Sequence, residues 1–274
     1  MSDSVMLAAQ ADLVMLTVEM LRLPTPRETM SLVADLDWHS ETPTPEVTAS
    51  SPQAELWFDL PTNQLDELLD AGLGEASVLS LDTESKLTPR IALADVQRCA
   101  AEFDIASWRD ECVRLFDGAM ACPLNQASYI RRDKGKILGD VSGFYNAFGW
   151  RAGLDTGERP DHLLCQLEFV GMLLALASRA PDLDSKEIVT EALSKFAREH
   201  MHDWIPAVCW QMCDESQCEY FGAVSQWLLV LWQTLTSIHH WPVDVLPNER
   251  LKPIVDPDSP YECGAPDLHQ IQTG

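Results

Sequence analysis

His162–Ala177 reads HLLCQLEFVGMLLALA, apolar on nearly every side, with one acid, Glu168, inside it. A helix that is hydrophobic all round leaves no face for water and belongs in the centre of a bundle. Pro160 opens this segment, as proline does in a first helical turn. Downstream, Leu183–Met201 has one apolar face. Tyr220, Phe221, Val224, Trp227, Leu228, Leu231, Trp232 and Leu235 then form the clearest stripe of period 3.6 in the chain. Working back toward the N-terminus, Asp140–Phe148 reads as a short helix. Ile105–Met120 carries Trp108, Cys112, Leu115, Phe116 and Ala119 on one side, and Thr88-Pro89 open a further helix. Leu56–Leu73, opened by Pro61 and Thr62 and stopped near Gly72 and Gly74, is another. Met6, Ala9, Leu13, Leu16 and Met20 step by threes and fours, giving a first helix that stops before Pro24. Thr25–Trp38 suggests a shorter second one.

Strand alternation and βαβ order are missing, so the expected fold class is all-α, a single helical bundle. Residues 1–240 make up the bundle, interrupted by a proline-bearing loop or linker near 40–54. Residues 241–274, with six prolines, form an extended tail.

The 46% hydrophobic content is enough for a substantial core, and the 43 acids against 19 bases give a formal charge of −24. That charge repels nucleic acid and anionic membrane, so no nucleic-acid partner is expected, and it favours a basic one. Between Arg27 and Lys86 there is no Lys or Arg at all. The N-terminal stretch has no basic start and carries Asp3, Asp12 and Glu19 through its apolar run, so neither signal peptide nor stable membrane insertion is expected. Eight cysteines without a secretory pattern read as reduced thiols in a cytoplasmic protein.

Catalytic motifs are sparse. Gly135-Lys136 has Ile130 where a phosphate-binding loop needs glycine and Ile137 where it needs a hydroxyl. His162, His202-Asp203 and Asp214 leave open a metal-dependent phosphohydrolase on a helical bundle, since imidazole and carboxylate suit a hard cation and its activated water. Cys209 and Cys213 share a helix face, and Cys218 and Cys263 complete four thiolates, which leaves zinc or an iron–sulfur cluster imaginable. Most of the nine tryptophans are expected in the core, with a few free to line a groove for an apolar peptide.

Glu158-Arg159-Pro160-Asp161-His162, followed by Gln166, Leu167, Glu168 and Phe169, is an E-x-P-D-H turn running into an apolar helix. Leu115-Phe116-Asp117-Gly118 ends the helix before it, Pro123–Tyr129 is a turn ending in Ser128-Tyr129, and Phe196, His200, Trp204 and Pro206 follow at F-x-x-x-H-x-x-x-W spacing. In order and approximate spacing, over about 90–240, these resemble the TorD/DmsD/NarJ-type family of redox-enzyme maturation chaperones. Leu124-Asn125-Gln126 departs from the family's pattern, which has an aromatic and a Glu there.

The resemblance implies a cytoplasmic, monomeric or weakly dimeric chaperone, not an enzyme and without a cofactor of its own. Its partner would be the apo-form or N-terminal leader, often a twin-arginine signal, of a molybdenum-cofactor oxidoreductase. On this reading Glu158, Asp161 and His162 meet the basic part of the leader, Trp108, Phe116 and Tyr129 hold its apolar part, and Glu168 is a further client-binding residue. Acids at a helix N-terminus complement its dipole, and a carboxylate–imidazole cluster on a loop suits arginine.

Overall fold

A computed structural model describes residues 2–22, 62–74, 78–79, 86–102, 105–117, 120–151, 157–241 and 251–254. Its helices are α1 (Asp3–Leu21), α2 (Thr62–Gly72), α3 (Pro89–Ala101), α4 (Ile105–Phe116), α5 (Lys134–Ala147), α6 (Leu163–Ser178), α7 (Leu183–Phe196), α8 (Ile205–Glu215) and α9 (Glu219–Ile238). The all-α expectation holds. One minimal exception is an antiparallel pair, β1 (Val78–Leu79) and β2 (Lys86–Leu87), with Val78 opposite Leu87. The expected helix at Thr25–Trp38, the loop near 40–54 and Cys263 lie outside the described residues.

The starts of the helices follow from their caps. Ser2, Thr88, Asp133 and Asp182 each accept a backbone N–H three residues on, which satisfies a donor that the first turn leaves unpaired. The Asp133 cap explains why α5 begins six residues before the expected Asp140. At the other end of the sequence prediction, Leu183–Met201 is not one uniform helix. It is α7 followed by a wide π turn at Ala197–Met201, which widens the chain just before Trp204.

α1 packs most extensively on α6, and further against α2 and α9. Its buried polar groups are matched across those contacts. Trp227 Nε1 donates to Thr17 Oγ1 at 2.8 Å, while Gln10 Nε2 donates to the Gly72 carbonyl at 2.9 Å. His239 Nε2 lies 2.8 Å from Gln10 Oε1, and burial lowers the His239 pKa to about 4, so the neutral ring donates this bond. Gly72 allows the approach: a Cβ there would sit 3.1 Å from Leu13 Cδ1 and 3.3 Å from the α1 backbone. By length and composition α1 is the one described helix apolar enough to cross a membrane, yet 61% of that window is buried in the bundle. Of the expected tail, Leu251 packs on the core and the Ile254 N–H donates to the Ser128 carbonyl at 2.7 Å.

Candidate functional site

The turn before α6 is tied to the Pro123–Tyr129 segment. The Gln126 N–H donates to the Asp161 carbonyl at 2.9 Å, the Leu163 N–H to the Leu124 carbonyl at 2.7 Å, and Asn125 forms a bridge with His162. Asp161 is wholly buried at the centre of this junction. Its carboxylate accepts from the Ala127 N–H at 3.0 Å, the Arg159 guanidinium at 2.9 Å and Asn125 Nδ2 at 3.4 Å. Below it Gln166 Nε2 donates to Gln126 Oε1, both side chains buried.

The reading of Asp161 as an accessible contact is therefore corrected. Its oxygens are filled by groups of its own chain, and an incoming cation has no open path to them. His162 is the N-cap of α6, its Nδ1 accepting the Leu164 N–H at 3.3 Å. Burial lowers its pKa, against the raising influence of Glu158, so the ring is neutral with its Nε2 edge 3.6 Å from Glu158 Oε2. Glu158 is the open member of the turn, with 44% of its side chain exposed.

Of the three aromatic residues expected to hold an apolar ligand, Trp108 and Tyr129 are core residues instead and Phe116 packs against the edge of the core. Tyr129 is buried and stacks on Trp204 at 5.9 Å, and Trp108 is buried edge-on to Tyr220. Phe116 is half-buried against Phe221 at 5.3 Å. Phe196 and His200 likewise pack on Phe144, while Trp204 Nε1 donates to the His200 carbonyl at 2.7 Å. Aromatic and imidazole spacing in this chain thus spells core packing, which sequence alone does not separate from a ligand pocket.

The open apolar surface lies further along α6. A groove of about 590 Å³ runs between α1 and α6, walled by Val5, Ala8 and Met15 on one side and Gly171, Met172 and Leu176 on the other, with Trp150 beside it. Val5 is 50% exposed and Leu176 43%. Gly171 keeps the helices close, since a Cβ there would meet Met15 Sδ at 3.0 Å. Two carboxylates, Asp12 and Glu168, and the guanidinium of Arg179 also line it. Glu168 Oε1 accepts from Arg22 Nη2 at 2.5 Å, and Arg22 Nη1 lies 3.1 Å from Glu19. Desolvation still raises the Glu168 pKa, outweighing the lowering influence of Arg22. Of the expected site residues, Glu168 alone lines this groove. The exposed apolar rim was missed because Leu176 sits in a helix whose sequence reads as fully buried, and Val5 lies off the stripe read along α1.

Among the described residues the metal readings find no donor set: no three His, Cys, Asp or Glu side chains gather as a metal site requires. His202 is engaged instead with Asp203 at 2.8 Å and the Arg198 carbonyl at 2.6 Å, and His162 caps α6. Cys209 is buried, with its thiol pKa pushed well up by desolvation, which disfavours the thiolate that zinc or iron needs.

Residues 84–210 match the family model described as nitrate reductase delta subunit. Over these residues, a little under half of the chain, it is similar to the TorD/NarJ-type chaperone family. This is a family of molybdoenzyme maturation factors rather than catalysts, and it implies a redox enzyme of nitrate-reductase type as partner. No curated protein and no solved structure matches the chain. The family match takes in α3 to α7, the capped turn and all of α6, and ends within α8. The α1 wall of the groove, with Arg22 at its end, lies outside the match.

Proposed function

We propose that this protein is a cytoplasmic chaperone that holds the N-terminal leader of a molybdenum-cofactor oxidoreductase apoenzyme until cofactor insertion is complete. The observation that carries this reading is the α1–α6 groove, where apolar walls meet the Glu168 carboxylate on the helix that follows the family's E-x-P-D-H turn. A leader joins arginines to an apolar stretch, and it needs a surface offering both acid and hydrocarbon. Leu176, Val5 and Met172 supply the hydrocarbon, and Glu168 and Asp12 supply charge. Glu158, with the Nε2 edge of His162, adds a second acidic point near the start of α6. Asp161 acts only through the turn it holds. The formal charge of −24 draws a cationic segment inward from a distance.

The test is calorimetric or fluorescence titration of the purified chain with leader peptides of its host's molybdoenzymes. Saturable binding that is lost in Leu176→Glu and weakened in Glu158→Gln is the expected result. Absence of binding to every leader removes the reading.

A further inference from the structure

We infer that the Glu168 carboxylate is a guanidinium-binding subsite, that Arg22 of the same chain fills it when no client is bound, and that an arginine of an apolar cationic peptide takes Arg22's place. The inference rests on the groove reading above and adds to it a specific ligand group and an internal competitor.

The geometry sets this pair apart from the ion pairs of the turn before α6. Glu168 faces the groove with a quarter of its side chain exposed, and Arg22 reaches it from the C-cap of α1, a third exposed. There the chain leaves α1 in extended conformation. A carboxylate so far out of water needs a cation beside it. Arg22 meets that need from a helix end, shared with Glu19. Planar guanidinium is the side-chain group suited to carboxylate, and one supplied by a peptide satisfies Glu168 as well as Arg22 does. The exchange keeps the charge count at the groove constant, so a client arginine enters without stranding a buried acid. Asp161 offers no such exchange, because its donors come from two chain segments locked by backbone hydrogen bonds.

The experiment compares two synthetic peptides, one with an arginine ahead of an apolar stretch and one with glutamine in its place, on the full chain and on Arg22→Gln. Removing a competitor that occupies the subsite most of the time raises apparent affinity by the inverse of the free fraction, about tenfold for one-tenth free. Arg22→Gln is therefore expected to bind the arginine peptide about tenfold more tightly and the glutamine peptide unchanged. Glu168→Gln with Arg22 intact is expected to bind the two peptides alike, and it serves if Arg22→Gln does not fold. Equal strengthening for both peptides, or none for the arginine peptide, overturns the inference, as does retained discrimination in Glu168→Gln. If instead neither peptide binds the unaltered chain, or Leu176→Glu binds as before, the groove reading itself falls and this inference with it.

Discussion

Asp161 and Glu168 stand seven residues apart, one just before α6 and one inside it, and their surroundings are opposite. Asp161 is sealed, and its partners are a backbone N–H, a side-chain amide and an arginine two residues away. Glu168 borders an open groove, and its cation arrives from a residue 146 positions distant. A carboxylate satisfied by fixed local donors is part of the scaffold. One satisfied by a single movable cation, beside exposed hydrocarbon, has the means to exchange ligands. The difference shows that an acid in a family's signature can be held wholly by groups of its own chain.

The largest effect expected is on the sealed acid. Asp161→Ala strands a buried N–H and a partly buried guanidinium, and should cost about 3 kcal/mol of unfolding free energy in denaturant titration. A loss below about 1 kcal/mol would break the contrast. Next, Glu168→Gln should leave stability within about 1 kcal/mol of the parent, while Leu176→Glu in the groove weakens peptide binding about tenfold or more.

Acid separates the two sites by sign. The folded pKa of His162 lies below its ordinary 6.5, so the unfolded chain takes up the proton first and stability at the turn is lost as pH falls through 6.5. His239 at about 4 and His200, also lowered by burial, add to the same loss. The folded pKa of Glu168 lies above 4.5, so its burial opposes folding only where the carboxylate is charged, and that cost is relieved on acidification. Denaturation midpoints between pH 7 and pH 5 should therefore fall less steeply in His162→Gln than in the parent, whereas Glu168→Gln should keep the parent's slope or steepen it. The smallest effect is expected at the Lys186–Asp3 pair, an exposed contact between α7 and α1. Lys186→Ala should change stability by less than about 0.5 kcal/mol, leaving both sites intact by thermal melting.

Much of the bundle was legible because its helices carry strong signals. The all-apolar α6 and the striped α9 could belong only to a core, and Thr88 with Pro89 marks a helix start from sequence alone. The E-x-P-D-H turn was legible as a family mark, and its role was not, since burial of Asp161 depends on Asn125 and Ala127, more than thirty residues earlier. Tyr129 and Trp108 misled for a related reason: an aromatic side chain looks the same in a sequence whether it faces a ligand or Trp204. The groove arises from how α1 lies on α6, with Gly171 against Met15, and no local pattern encodes that approach.

The place of α1 at the heart of the bundle carries a consequence for how the chain is made. Its Thr17 waits for Trp227, 210 residues later. At a synthesis rate of about 5–20 residues per second the wait is on the order of 10–40 s. Until α6 has been made, and for the whole interval in the case of a complete α9, a 19-residue helix apolar enough to enter a membrane lacks its native cover. Asp3, Asp12 and Glu19 along that helix are the charges that favour its staying in water meanwhile. On the proposed reading, a protein that shelters the N-terminus of an apoenzyme has, during its own translation, an exposed beginning of its own to protect.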